Sequence, residues 1–331
     1  MKKFFVSMLA VAALASCAKE EVLTFDQGEA IGFSSFVDNA TRATEATDPS
    51  YSTNGQDGYT QLTQFNVYGA VGGVNIFNGD GVSKGTAGYN SAWTLITGNK
   101  QYWIAGADYK FVGVVDGSIA GVTAITPDTA GLPASISYTS NGATDLLCDV
   151  VTVDDAAAPY PLVAFNYTHL LSKVKFSVKN TSNAANYRFV LTSAKLTNAY
   201  ESGVYDVTAE AWDGDEMTGP KEFALDLLTI NSATTQCHNT ELLLLPGASV
   251  GVYVEAEIQA TDDDGTTWTK VSDVNKTFSN VVTLAQATAY NFVVELGIGE
   301  EIKFTATTLP DWGNGNTTDT DGDTVKDAIV K

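Results

Sequence analysis

Apolar residues recur at every second position in stretch after stretch of this chain, and no long segment shows helical spacing. Val174, Phe176 and Val178 alternate with Lys173, Lys175, Ser177 and Lys179, and Val252, Val254, Ala256 and Ile258 alternate with Tyr253, Glu255, Glu257 and Gln259. Successive side chains of an extended chain point to opposite faces, so each row reads as a strand with one face in a core. The lysines between 173 and 179 are expected on a wet, cationic face. Similar rows occur at Thr63, Phe65, Val67, Gly69 and Val71, at Tyr290, Phe292, Val294 and Leu296, and at Ile302, Phe304 and Ala306. The run from Tyr109 to Asp116 is apolar on both faces and reads as an interior strand. Strands are also expected at Ala134–Tyr138 and Leu146–Val153, and Asp264-Gly265 signals a tight hairpin into Trp268–Val274. With Gly, Thr and Asn abundant, the expected class is all-β. Asp154-Asp155 followed by Pro159 and Pro161 interrupts the pattern, because proline cannot donate to a ladder. The expectation is two consecutive β-sandwich domains, 44–160 and 161–331, of transthyretin-like or immunoglobulin-like build.

The beginning of the chain is organised differently. Lys2 and Lys3 precede an apolar run from Phe4 to Leu14, and Leu14-Ala15-Ser16-Cys17 follows. The run is too short to span a bilayer and is flanked like a secretory signal, so residues 1–16 are expected to be removed. A cysteine directly after small residues resembles a bacterial lipobox, with Cys17 as the acylated first residue. Acyl chains contribute about 0.8 kcal/mol per buried methylene and so tie a protein to a lipid bilayer without a transmembrane helix. Residues 17–43 then read as a propeptide carrying a short strand in which Ile31, Phe33, Ser35 and Val37 alternate. Arg42, one of only two arginines with Arg188, stands before Ala43 in a run of small and polar residues. A trypsin-like protease cutting there would release all that follows and leave the first strand a separable piece.

Charge excludes several functions. The formal net charge is −21, and loss of Lys2 and Lys3 makes it two units more negative, which opposes binding to nucleic acid or, by charge, to an anionic membrane. Cys148 and Cys237 could form one disulfide or remain two separate thiols; with no C-x-x-C pair, zinc is not expected. No cofactor is expected. Gly81-Val82-Ser83-Lys84-Gly85 fits a nucleophile elbow, but its glycine-rich β setting is wrong for one, and none of the 39 carboxylates is singled out by a motif. No enzyme is expected. His169 reads as a hydrogen-bonded core histidine and His238 as loop. Asp319, Asp321, Asp323 and Asp327 could gather around calcium, though a solvated acidic tail is the simpler reading. Trp103 and Trp312 are expected to pack the two cores.

Phe165-Asn166-Tyr167-Thr168-His169-Leu170-Leu171-Ser172-Lys173-Val174-Lys175-Phe176 resembles the F-x-x-x-H-x-L-S-K-V-x-F block of the fimbrillin family, the pilins of type V fimbriae. Tyr102-Trp103 with Tyr109-Lys110-Phe111, Leu243-Leu244-Leu245-Pro246-Gly247, and Tyr290-Asn291-Phe292 with Ile302–Trp312 resemble further blocks of that family in the same order. The resemblance implies a polymerising subunit of adhesive fimbriae on the cell outer membrane. Its precursor would cross as a lipoprotein and lose its first strand to an arginine-specific protease. A strand from another copy or a related fimbrial subunit would then fill the groove. Arg42-Ala43 would be the cut, Ile31, Phe33 and Val37 the departing side chains, and Val325, Ala328, Ile329 and Val330 the candidate donors. As a strand, Val325 and Ile329 share a face with Asp327, while Ala328 and Val330 share the other with Lys326. Either the donor lies partly elsewhere, or the subunit sits at a fimbrial tip or base. The alternative function is a non-polymerising surface lipoprotein, or a tip or anchor protein, that binds glycan or host protein.

Overall fold

The computed structural model describes residues 28–37, 64–84, 93–115, 121–237, 241–262 and 265–309. Nearly all of the regular structure is strand. The first nine are β1 (Phe33–Val37), β2 (Gln64–Val71), β3 (Val74–Lys84), β4 (Trp93–Leu95), β5 (Tyr109–Val115), β6 (Val122–Pro127), β7 (Pro133–Thr139), β8 (Leu147–Val153) and β9 (Val163–His169). Then come β10 (Ser172–Asn180), β11 (Tyr187–Ala199), β12 (Ser202–Asp206), β13 (Ala211–Trp212), β14 (Lys221–Ala224), β15 (Thr229–Ile230) and β16 (Thr235–Cys237). The last are β17 (Leu242–Leu244), β18 (Ser249–Thr261), β19 (Trp268–Thr283), β20 (Ala289–Leu296) and β21 (Lys303–Thr308).

A seven-stranded sheet runs β1-β9-β8-β5-β2-β3-β4. One of its faces encloses an aromatic core of Phe33, Phe65, Phe77, Trp103, Phe111, Phe165 and Tyr167. The opposite face of its middle strands meets the smaller sheet β13-β12-β7-β6 across a second core that includes Val112, Val114, Ile136, Tyr138 and Tyr205. That explains why β5 is apolar on both sides: Phe111 faces one core and Val112 the other, both fully buried. Two further sheets, β16-β10-β20-β21 and β14-β11-β18-β19, form a sandwich over a third core. The alternating rows Val174–Val178, Val252–Ile258 and Tyr290–Leu296 all enter it.

Strand pairing crosses residue 160. β9 is the second strand of the seven-stranded sheet, and β12 pairs with β7 over five rungs from Ser202↔Thr139 to Asp206↔Ser135. The second core draws Leu170, Leu171, Val207, Leu243 and Leu245 from the later half of the chain.

Two strand expectations are corrected. The face of Lys173, Lys175 and Ser177 is not wet: Lys175 is 6% exposed and Ser177 3%. β10 has neighbours on both edges; Glu241, which precedes β17, pairs with Lys173, and Cys237 on β16 places its Sγ 3.3 Å from the Ser177 Oγ. The strand expected to end at Val274 runs on to Thr283 as β19, paired with β18 along its length.

Candidate functional site

The candidate site is the seat of residues 28–37. Ile31 and Phe33 point inward and are 8% and 5% exposed. Upstream of β1 the chain makes an antiparallel bridge, Ala30 opposite Tyr102. There the Ile31 N–H donates to the Gln101 carbonyl at 2.9 Å and the Trp103 N–H donates to the Glu29 carbonyl at 3.0 Å. The chain then crosses to β9 and pairs with it in parallel, from Phe33↔Val163 to Val37↔Tyr167. The Val163 N–H donates to the Gly32 carbonyl at 2.9 Å. Gly28 permits the first of these contacts, because a Cβ there would lie 2.9 Å from the Trp103 carbonyl oxygen.

Phe33 completes an aromatic cluster. Its ring centroid is 5.6 Å from Phe77, 6.3 Å from Phe65 and 6.5 Å from Phe165, while Phe65 and Phe165 are 5.4 Å apart. Edge-to-face and offset contacts at such spacings add to plain area burial. Burying a phenylalanine or isoleucine side chain is worth about 1.5–3 kcal/mol, so the two anchors add to the backbone pairing on either side of Gly32. The segment is at once the end of the sheet and part of the middle of the core. Its removal would leave β9 with an unpaired edge and the cluster with a slot shaped for alternate apolar side chains.

The Phe165–Phe176 block is the crossover between sheets. Phe165 belongs to the first core and Val174 and Phe176 to the third, with only Leu170-Leu171 between β9 and β10. His169 is buried and its Nδ1 pairs with Asp145, as expected of a core histidine. The Trp212 Nε1 donates to the Leu170 carbonyl at 2.7 Å, and the Ser172 hydroxyl donates to the Ala285 carbonyl at 2.7 Å. The residues of this motif therefore fix one half of the molecule against the other.

Trp103 packs in the first core, 4.7 Å from Tyr109 and stacked 5.8 Å from Tyr160. Gly81-Val82-Ser83 lies within β3, where Ser83 is opposite Gln64 on β2 and Thr94 on β4. Cys148 and Cys237 are both free thiols; burial pushes the Cys148 thiol up to about 12. Val37 is placed by its register opposite Tyr167. Cys17, Arg42, Ala43, His238, Trp312, the candidate donors Val325, Ala328, Ile329 and Val330, and Asp319, Asp321, Asp323 and Asp327 lie outside the described residues. Sequence reasoning missed the other wall of the seat, Gln101–Trp103, and the parallel direction of β9. Tyr102-Trp103 stood out only as a motif, and nothing in a strand's own pattern encodes its neighbour's direction.

A family model described as fimbrillin-like matches residues 24–312. No curated protein matches the chain. Among solved structures, a fimbrial protein of Bacteroides vulgatus is similar over 85% of this chain and 99% of its own, with a TM-score of 0.56 and 14% identity. A cell adhesion protein, so described with reservation, from Bacteroides uniformis is similar over 85% and 97%, with a TM-score of 0.49 and 13% identity. The fimbrial anchor protein Mfa2 of Porphyromonas gingivalis is similar over 85% and 96%, with a TM-score of 0.36 and 11% identity.

Proposed function

The chain belongs to the fimbrillin-like family, and from that premise we propose that it is a structural subunit of a surface fimbria that polymerises by exchanging its first strand. Export as a lipoprotein would tether the precursor to the outer membrane through acylated Cys17. β1 would meanwhile occupy the edge beside β9 and keep it from pairing prematurely. Cleavage by an arginine-specific protease between Arg42 and Ala43 would detach residues 17–42, and with them Ile31, Phe33 and Val37. A strand of another subunit, with Val325, Ala328, Ile329 and Val330 as candidates, would then fill the slot and form the next link.

The observation that carries this reading is the double role of residues 29–37. They pair along the outer edge of a sheet, yet Phe33 is built into its aromatic core. An edge strand can be replaced by an equivalent strand without disturbing the order of the others. The test is Arg42→Ala in the native cell. The expected result is loss of filaments with retention of lipidated, uncut monomer, whereas protein sheared from wild-type cells begins at Ala43 and forms high-mass ladders in SDS. Filaments as abundant in the variant as in the parent would rule the reading out.

A further inference from the structure

The side of β10 that faces away from the third core holds more chemistry than strand pairing requires. Val174 and Phe176 enter that core from β10, as do Tyr290 and Phe292 from β20, so Lys175 and Asn291 rise together from the opposite face. The parallel register sets Lys175 directly opposite Asn291. On the other flank the antiparallel rungs run from Ser172↔Leu244 to Val174↔Leu242, and one further rung brings Glu241 level with Lys175. Glu241, Lys175 and Asn291 thus form a row across three adjacent segments, with neighbouring backbones about 4.8 Å apart. Lys175 is 6% exposed and Glu241 4%. Glu241 is also ion-paired at 2.5 Å with Lys173, whose side chain is 12% exposed. The Asn291 Oδ1 is buried and accepts no hydrogen bond among the described residues.

Water is largely excluded from Lys175 and Glu241 in this row. A lysine amine that has given up its proton to a neighbouring carboxylate is a nucleophile, and the Asn291 amide carbon on the opposing rung is a suitable acceptor. We infer that Lys175 and Asn291 become joined by a side-chain amide bond, with Glu241 carrying the proton. Glu241 takes one proton from the Lys175 ammonium, and the freed amine attacks Asn291 Cγ to form a new C–N bond. A second proton passes from the Lys175 nitrogen to the departing amide nitrogen, the old C–N bond breaks, and ammonia leaves. One amide replaces another, charge is conserved, and neither oxidant nor reductant takes part. Lys173 remains beside Glu241 throughout. The product ties β10, the first strand of the sandwich, to β20, its last but one, closing a covalent loop through most of the later half of the chain.

The test is the mass of the whole purified chain in denaturant, followed by peptide mapping. The expected result is a mass lower than the sequence mass by one ammonia, and a branched peptide containing both Lys175 and Asn291. Asn291→Ala restores the full mass expected of its own sequence while removing only an uncharged side chain. Glu241→Gln does the same if it folds, which circular dichroism reports, and Asn291→Ala decides where it does not. Asparagine-glycine steps such as Asn141-Gly142 also lose ammonia by ring closure, so a deficit mapped there overturns the inference. So does wild-type protein of full mass with Lys175 and Asn291 in separate, unmodified peptides.

Discussion

Gly113 lies in the interior strand β5, where a Cβ would meet the Tyr167 hydroxyl and come within 2.9 Å of the Phe165 ring. The absent side chain lets β9 lay its aromatics over β5, so the aromatic core depends on this position as much as on the rings. Gly113→Ala is expected to destabilise the protein by about 1–3 kcal/mol through overpacking. A urea midpoint equal to wild type would contradict that. Cys148 supplies a second expectation at this scale. Burial first, and then the charges of Asp149 and Glu210, push its thiol up to about 12. At pH 8 about one molecule in ten thousand would carry the thiolate. Iodoacetamide should therefore leave Cys148 unmodified in native protein and label it after denaturation, which peptide mapping reads; labelling of the native chain within minutes would refute it. Because the raised value favours the neutral thiol in the native state, its contribution is complete below pH 9 and is lost as pH climbs toward 12. The spacing of apolar residues reveals which side chains turn inward, as at Phe165 and Tyr167. It does not reveal that Gly113 must be bare, because that need arises from a strand fifty residues away.

Among the elements, β1 and β10 show what strand patterns can and cannot convey. The alternation at Ile31 and Phe33 correctly marks a buried face, and both residues enter the first core. The same logic at Lys173 and Lys175 points to water, because alternation records polarity and not what lies across the neighbouring strands. With Glu241 beside it, that face of β10 is polar and closed. Parallel pairing, of β1 with β9 and of β10 with β20, is likewise invisible to a local reading. The position of β1 leads to two expectations. Phe33→Ala in the uncut chain should reduce stability by about 3–5 kcal/mol, since it empties a ring-sized space; denaturant unfolding measures it, and a change below 1 kcal/mol would mean that the ring contributes little to the cluster. Amide hydrogens of β1, a sheet edge held by one ladder, should also exchange well before those of β5, which is paired on both sides. Equal protection of the two strands would argue against a detachable β1.

At the scale of the whole molecule, the question is whether the two halves of the chain stand independently. The interruption from Asp154 to Pro161 suggests a boundary in the sequence, and the strands on either side do gather largely into separate sheets. Yet β9 completes the seven-stranded sheet, β12 pairs with β7, and the second core takes residues from both sides of residue 160. Polar contacts follow the same path: the Lys221 Nζ donates to the Ser140 carbonyl at 2.7 Å, and the Leu243 N–H donates to the Gly142 carbonyl at 2.8 Å. A fragment beginning at residue 161 would expose Leu170, Leu171, Tyr205, Leu243 and Leu245 together, and would leave β12 without its ladder. Each such side chain uncovered costs about 1.5–3 kcal/mol, against a total stability of about 5–15 kcal/mol for an ordinary domain. The fragment is therefore expected to lack a cooperative transition, whereas the intact chain should unfold in one step with coincident fluorescence and circular dichroism curves. A fragment that melts cooperatively at the midpoint of the intact chain would show that the shared core is dispensable.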